Sequence, residues 1–189
     1  GEFKEAFLRD TAQMTVREGD WLSEASLDAE TVRSSAVLRN QGFYSFNKNY
    51  YFFEADTLSY PGSAILQLTI NEYTRNESPR DAKPIRKFYI NDVAITYPKS
   101  LKFRDKVLRD LTTIYPGQVY SADQINRTYS RLSALKVFSS VNIGMTQTDT
   151  NLVDCSISLA QSKLQGFKVN LEASINSTGL FGVSPQLSY

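Results

Sequence analysis

The chain repeats itself, and the repeat limits its fold more than any other feature. Two stretches run helix, glycine-marked turn, helix, strand, turn, strand. In the first, residues 3–14 read as a helix with Phe3, Phe7, Thr11 and Met14 near one face, and Gly19 marks the turn. Residues 28–40 give a second helix, N-capped by Ser26 or Asp28, with Val32 and Ala36 on one face. An aromatic strand over 42–56 follows Gly42, then a Pro61-Gly62 turn. Ala64, Leu66, Leu68 and Ile70 then alternate with polar and outward positions, as in a half-buried strand.

The second stretch matches. Residues 102–113 place Phe103, Val107 and Leu111 on one helical face, and Pro116-Gly117 ends that helix. Residues 121–135 form the next helix, with Ser121 and Gln124 as a capping box and Ile125, Tyr129, Leu132 and Leu135 on its apolar face. Strands follow at 136–146 and 151–159, the latter with Val153, Cys155, Ile157 and Leu159 inward. Placing Leu38 on Leu132 puts Phe43-Tyr44-Ser45 on Val137-Phe138-Ser139. The second copy also has a preceding strand at 87–97, whose alternation slips at Asn91-Asp92 as a bulge would make it. That copy therefore reads β-α-α-β-β, and the first copy starts at its first helix. A repeat of roughly 75 residues implies a modular array.

Residues 71–84 are polar, charged and contain two prolines, as a linker does. The expected division is a first unit over 1–75 without its first strand, a linker at 76–85, a second unit over 86–161, and a different segment at 162–189. In that segment Phe167, Val169, Leu171, Ala173 and Ile175 alternate with polar residues. After a turn at 176–179, Phe181, Val183, Leu187 and Tyr189 do the same. Two strands of about ten residues with strict dyad alternation fit the opening hairpin of a membrane β-barrel. A hairpin of a soluble sheet has the same pattern. Gly1 has no preceding Met, and Tyr189 falls within the strand pattern, so the chain reads as part of a longer one.

Composition narrows the chemistry. The 189 residues contain no His and one Cys. That removes Ser-His-Asp and Cys-His catalysis, His-ligated metals and thiolate clusters. No paired-carboxylate motif supports glycoside hydrolysis. The sequence therefore predicts no catalytic residue, cofactor or metal site, and no enzyme. A net charge of +1 argues against a nucleic-acid binder. Cys155 on an inward strand position reads as a buried, inert thiol. The sequons at Asn76, Asn126 and Asn176 read as chance, the Tyr50–Phe53 aromatics as core packing, and Trp21 as the cap of a small core.

Residues 116–143, PGQVYSADQINRTYSRLSALKVFSSVNI, resemble the heart of a POTRA (polypeptide-transport-associated) domain. The marks are Gly117, Tyr120-Ser121, Leu132 and Leu135-x-Val137-Phe138-x-x-Val141. Residues 39–56 resemble the end of a more divergent copy, and 166–189 are similar to the first barrel strands of BamA/TamA-like outer-membrane assembly proteins of the surface antigen family. The fold class this implies is α+β: tandem POTRA-like units, each a three-stranded mixed sheet with two helices on one face, ahead of a barrel hairpin. The implied location is the bacterial outer membrane, with this region mostly periplasmic. The implied partners are unfolded outer-membrane polypeptides, accessory assembly proteins, and the outer membrane itself through the barrel. The implied work is inserting barrel proteins or translocating polypeptides. A two-partner-secretion transporter shares this plan, and a surface or periplasmic adhesion module without a barrel is the alternative of another class.

An open sheet edge offers unpaired N–H and C=O groups to an extended chain, and bonding there is nearly blind to sequence. In the family the second strand of the unit is an edge. That names Val137, Phe138, Ser139, Ser140, Val141, Asn142, Ile143, Gly144 and Met145 as the client-binding edge, with roughly Phe43 to Glu54 its counterpart in the first unit. Neither run contains proline. Lys48 and Lys136 would instead discourage pairing if they sat on the edges.

Overall fold

The computed structural model describes residues 1–100 and 104–161, together with the strand backbones of 168–175 and 181–188. Helix α1 spans Glu2–Thr11 and α2 spans Glu24–Asn40. α2 starts ahead of both expected caps, because the Ser23 hydroxyl accepts the Ser26 N–H from extended backbone. Its buried face also differs from the apolar one expected. Glu30, Thr31, Ser34, Ser35 and Leu38 are buried, whereas Val32 is half exposed. Ser34 turns inward to donate to Asp10 of α1, and Glu30 to accept from Thr15 and Arg33.

Strand β1 covers Tyr51–Asp56, not the whole of 42–56. Gly42 has φ +108°, and a single 3-10 turn at Lys48–Tyr50, capped by the Asn47 side chain, precedes the strand. The intervening Phe43 and Phe46 are fully buried and join Ala6, Leu38 and Tyr51 in one core. Phe3 packs on both, ring centres 5.1 and 4.9 Å away. Each such ring contributes on the order of 2–3 kcal/mol by leaving water. β1 pairs antiparallel with β2, Ile65–Ile70, from Tyr51↔Ile70 to Asp56↔Ile65. The polar stretch after β2 is tied down. Asn71 N–H donates to Tyr50 O (3.3 Å), Arg75 N–H to Asn49 O (3.1 Å) and Lys83 N–H to Glu72 O (2.8 Å). Trp21 caps nothing and is 92% exposed.

The remaining elements are β3 (Tyr89–Thr96), α3 (Asp105–Leu111), α4 (Ala122–Ser133), β4 (Phe138–Gln147) and β5 (Leu152–Gln161). Their sheet has the order β3-β5-β4, with β3 parallel and β4 antiparallel to the central β5. A register shift between Ile90 and Val93 places the bulge where the alternation slipped. Val153, Cys155, Ile157 and Leu159 all face the helices and are buried with Leu108 of α3 and Leu132 of α4. This is the α+β arrangement expected.

Both helices keep part of the predicted face, with Leu111 of α3, Ile125 and Leu132 of α4, and Leu135 just beyond α4 packed on the core, and depart from it elsewhere. In α3 Leu108 is buried and Val107 is 42% exposed, while the expected Phe103 lies outside the described residues. In α4 Thr128 is buried and Tyr129 exposed, because Thr128 Oγ1 accepts the Thr113 N–H at 3.0 Å. Ser121 caps α4 through the Gln124 N–H. The Gln124 side chain accepts from Gln118 Nε2. Strands β6 (Lys168–Ile175) and β7 (Phe181–Ser188) pair antiparallel, from Lys168↔Ser188 to Ile175↔Phe181. The predicted turn at 176–179 and the inward–outward alternation of these side chains lie outside what is described. Among the described residues no helix is long and apolar enough to cross a membrane.

Candidate functional site

Which backbone groups of the β3-β5-β4 sheet point away from it follows from two hydrogen bonds. Thr148 N–H donates to Leu152 O at 3.0 Å, so even-numbered residues of β4 bond to even-numbered residues of β5. Tyr89 N–H donates to Asn151 O at 2.9 Å, so odd-numbered residues of β5 bond to β3. The N–H and C=O groups of Val141, Ile143, Met145 and Gln147 therefore face outward from the β4 edge.

The two edges differ. On β3, Ile90 N–H donates to Gln118 O (2.8 Å), and Ile90 O accepts the Gly117 N–H (2.7 Å). Phe88 O accepts the Tyr120 N–H (2.9 Å). The 117–120 segment thus covers the first half of that edge, and Gly117 at φ +84° gives it the turn it needs. Beyond it, Val93 and Ile95 border a groove of about 470 Å³ with Leu108, Ile114 and Tyr115. On β4 the ten residues FSSVNIGMTQ include no charge and no proline. Natural edges are commonly blunted by lysine, proline or a bulge. β4 has only a register shift at its start, between Phe138 and Ser140.

The predicted edge residues divide accordingly. Phe138 to Met145 lie on β4, and Val137 lies in the turn before it. Phe138 is buried in the core, and Val141, Ile143 and Met145 lean against it. Ser139, Ser140 and Asn142 are exposed. A Cβ at Gly144 would stand 2.8 Å from Ser156 Oγ on β5, so a side chain there would turn that hydroxyl aside. Lys136 precedes the strand, and Lys48 precedes β1 and pairs with Asp28 at 2.9 Å, so neither charge sits on a strand. In the first unit only Tyr51 to Glu54 of the predicted Phe43–Glu54 run are on a strand. β1 also differs in carrying Glu54 and Asp56, and Arg75 Nε donates to its Tyr51 O at 3.0 Å.

The joint between the two halves went unread in the sequence. Phe88 N–H donates to Gly42 O at 2.9 Å, Arg39 Nη2 to the Tyr120 hydroxyl at 3.1 Å, and Asp123 N–H to Asn40 Oδ1 at 2.8 Å. The Tyr44 ring packs edge-on against Phe88 and Tyr120, at 5.5 and 5.0 Å. Its hydroxyl donates to Met145 O at 3.3 Å. The one available signal was Gly42, a glycine directly ahead of an aromatic run.

The chemistry of the site is backbone chemistry. Among the described residues no group of three or more His, Cys, Asp or Glu could hold a metal ion. Cys155 is buried, and burial pushes its thiol up to about 11, so it is a core side chain at neutral pH.

The arrangement defines a class of protein: a sheet-and-helix module with one covered edge and one uncharged edge. Residues 88–162 match the POTRA family model, the surface antigen variable number repeat. The fold is shared with solved structures. The crystal structure of BamA from Haemophilus ducreyi lacking POTRA domains 1–3 matches with a TM-score of 0.59 and 13% identity, over 93% of this chain and 29% of that one. The structure of Haemophilus influenzae BamA POTRA domains 3–5 matches with a TM-score of 0.54 and 14% identity, over 82% of this chain and 57% of that one. The chain thus spans 29% and 57% of the lengths of these two structures. No curated protein sequence matches it.

Proposed function

We propose that this chain is the periplasmic, POTRA-bearing region of an outer-membrane protein that inserts β-barrel proteins or moves polypeptides across the membrane. In this reading it holds clients by strand addition at Val137–Met145. Residues 1–75 and 86–161 act as two POTRA units joined at 76–85, and 162–189 open the barrel. One observation carries the proposal: the outward row of backbone groups on an edge strand free of charge and proline. Unfolded barrel strands alternate apolar and polar residues and share little else. A backbone-only site suits them, because main-chain bonds give affinity without reading sequence.

Photo-crosslinking in the intact protein tests this. A photoreactive residue at Asn142, whose side chain is exposed on β4, should yield adducts with nascent outer-membrane polypeptides. The same residue at Asp92 on the β3 edge should yield few. Equal adducts from both, or none at Asn142, would remove the edge assignment. Accumulation of unassembled outer-membrane proteins after depletion of the full-length protein tests the assembly role separately.

A further inference from the structure

The outward row on β4 does not run free to its end. Its third member, the Met145 carbonyl, accepts the Tyr44 hydroxyl at 3.3 Å. Tyr44 lies outside both sheets, in the segment joining α2 to β1, and its ring is wedged between Phe88 and Tyr120. Three contacts fix that segment against the second unit: Gly42 O to Phe88 N–H, Asn40 Oδ1 to Asp123 N–H, and Arg39 to the Tyr120 hydroxyl. Tyr44 is therefore held by the joint rather than by the strand it touches.

An added strand advances along an edge by bonding every second residue. Val141 and Ile143 are the first two outward positions, and Met145 and Gln147 would be the next two. At Met145 the acceptor is engaged, and the Tyr44 hydroxyl stands where the donor N–H of an incoming strand would lie. We propose that Tyr44 is a register stop: it confines an extended client segment to the Val141–Ile143 half of the edge and makes the length of that edge depend on the docking of the first unit. The occupant is an extended polypeptide segment, since the exposed edge side chains Ser139, Ser140 and Asn142 are small and neutral and leave the backbone as the recognition element. This inference rests on the strand-addition reading above. It goes further in assigning a specificity role to a residue of the other unit.

The test is amide hydrogen exchange on the whole chain, with and without a synthetic ten-residue peptide of alternating Val and Thr. In the native chain the peptide should slow exchange at the Val141 and Ile143 amides and leave Met145 and Gln147 unchanged. In Tyr44→Phe, which keeps the ring between Phe88 and Tyr120, protection should extend to Met145 and Gln147. Peptide affinity should rise about fivefold for each net backbone hydrogen bond gained. Protection of Met145 and Gln147 already in the native chain overturns the stop, and this half of the test needs no variant. An identical pattern in both chains also overturns it and leaves strand addition standing. No protected β4 amide in either chain removes strand addition and the stop together.

Discussion

Arg33 holds Asp10 through two parallel hydrogen bonds, Nη1 to Oδ1 at 2.8 Å and Nη2 to Oδ2 at 3.0 Å. The same guanidinium reaches Glu30, with Nη2 2.6 Å from Oε1. Both carboxylates are almost fully buried, and Arg33 is the cation that joins α1 to α2. Thr15 N–H and Oγ1 donate to Glu30 at 2.9 and 2.6 Å, and Ser34 Oγ donates to Asp10 while accepting from the Tyr51 hydroxyl at 2.7 Å. Replacing Arg33 by Met leaves two buried carboxylates without their cation. The expected loss is about 3–5 kcal/mol, the usual cost of breaking one side of a buried pair. Urea unfolding followed by tryptophan-independent circular dichroism measures it, and a loss below about 1 kcal/mol would contradict the arrangement.

The same cluster sets an acid limit. Burial pushes the Glu30 carboxyl up, but hydrogen bonds from Arg33 and Thr15 outweigh it and hold the group below its ordinary value of 4.5. A folded-state value below the unfolded one gives stability that is complete above pH 4.5 and fades as pH falls through the folded value. Asp10, Arg33 and Tyr51 are the other titratable groups in the cluster. Arg33 is held charged by its two carboxylates, and burial raises Tyr51 to about 12, so neither titrates in that window. Glu30→Gln should lower stability at neutral pH and flatten its acid dependence. An unchanged slope in acid titrations of the two chains would assign the acid limit elsewhere.

Local pattern and long-range partnership divide what the sequence shows. The alternation of Val153, Cys155, Ile157 and Leu159 was legible because one face of one strand meets one core, and all four are buried. The bulge at Asn91-Asp92 was legible because a period of two cannot absorb an extra residue silently. The buried face of α2 was not legible, since Glu30 and Ser34 are inward only because Asp10, Thr15 and Tyr51 meet them from other elements. The 42–50 segment was misread as strand for a related reason: its rings are core plugs on a turn, and ring content alone does not separate the two. The β4 edge was readable as a strand, whereas its limit at Met145 depends on a residue about a hundred positions away.

Gly42 tests the joint. Its φ of +108° disfavours any side chain, and a Cβ would stand 2.6 Å from Val119 Cγ1. Gly42→Ala should cost about 1–3 kcal/mol from the backbone alone, with the clash added. The double variant with Val119→Ala removes the clash and leaves the backbone strain, so it should recover part of the loss. Thermal unfolding of the three chains resolves the two contributions. Full recovery in the double variant would mean that the backbone conformation is not required there.

Cys155 is 1% exposed on the central strand, and burial pushes its thiol up to about 11. The thiolate is the reactive form, so at pH 8 both burial and protonation protect it. A maleimide should label the folded chain slowly and label it fully in denaturant, which makes labelling rate a reporter of global opening of the β3-β5-β4 sheet. Cys155→Ser places a hydroxyl among Val153, Ile157 and Leu132 and should destabilise by about 1–3 kcal/mol, the cost of burying a polar group without a partner. Labelling of the native chain as fast as that of the denatured one would mean that the sheet opens readily, and β4 could not then serve as a fixed edge.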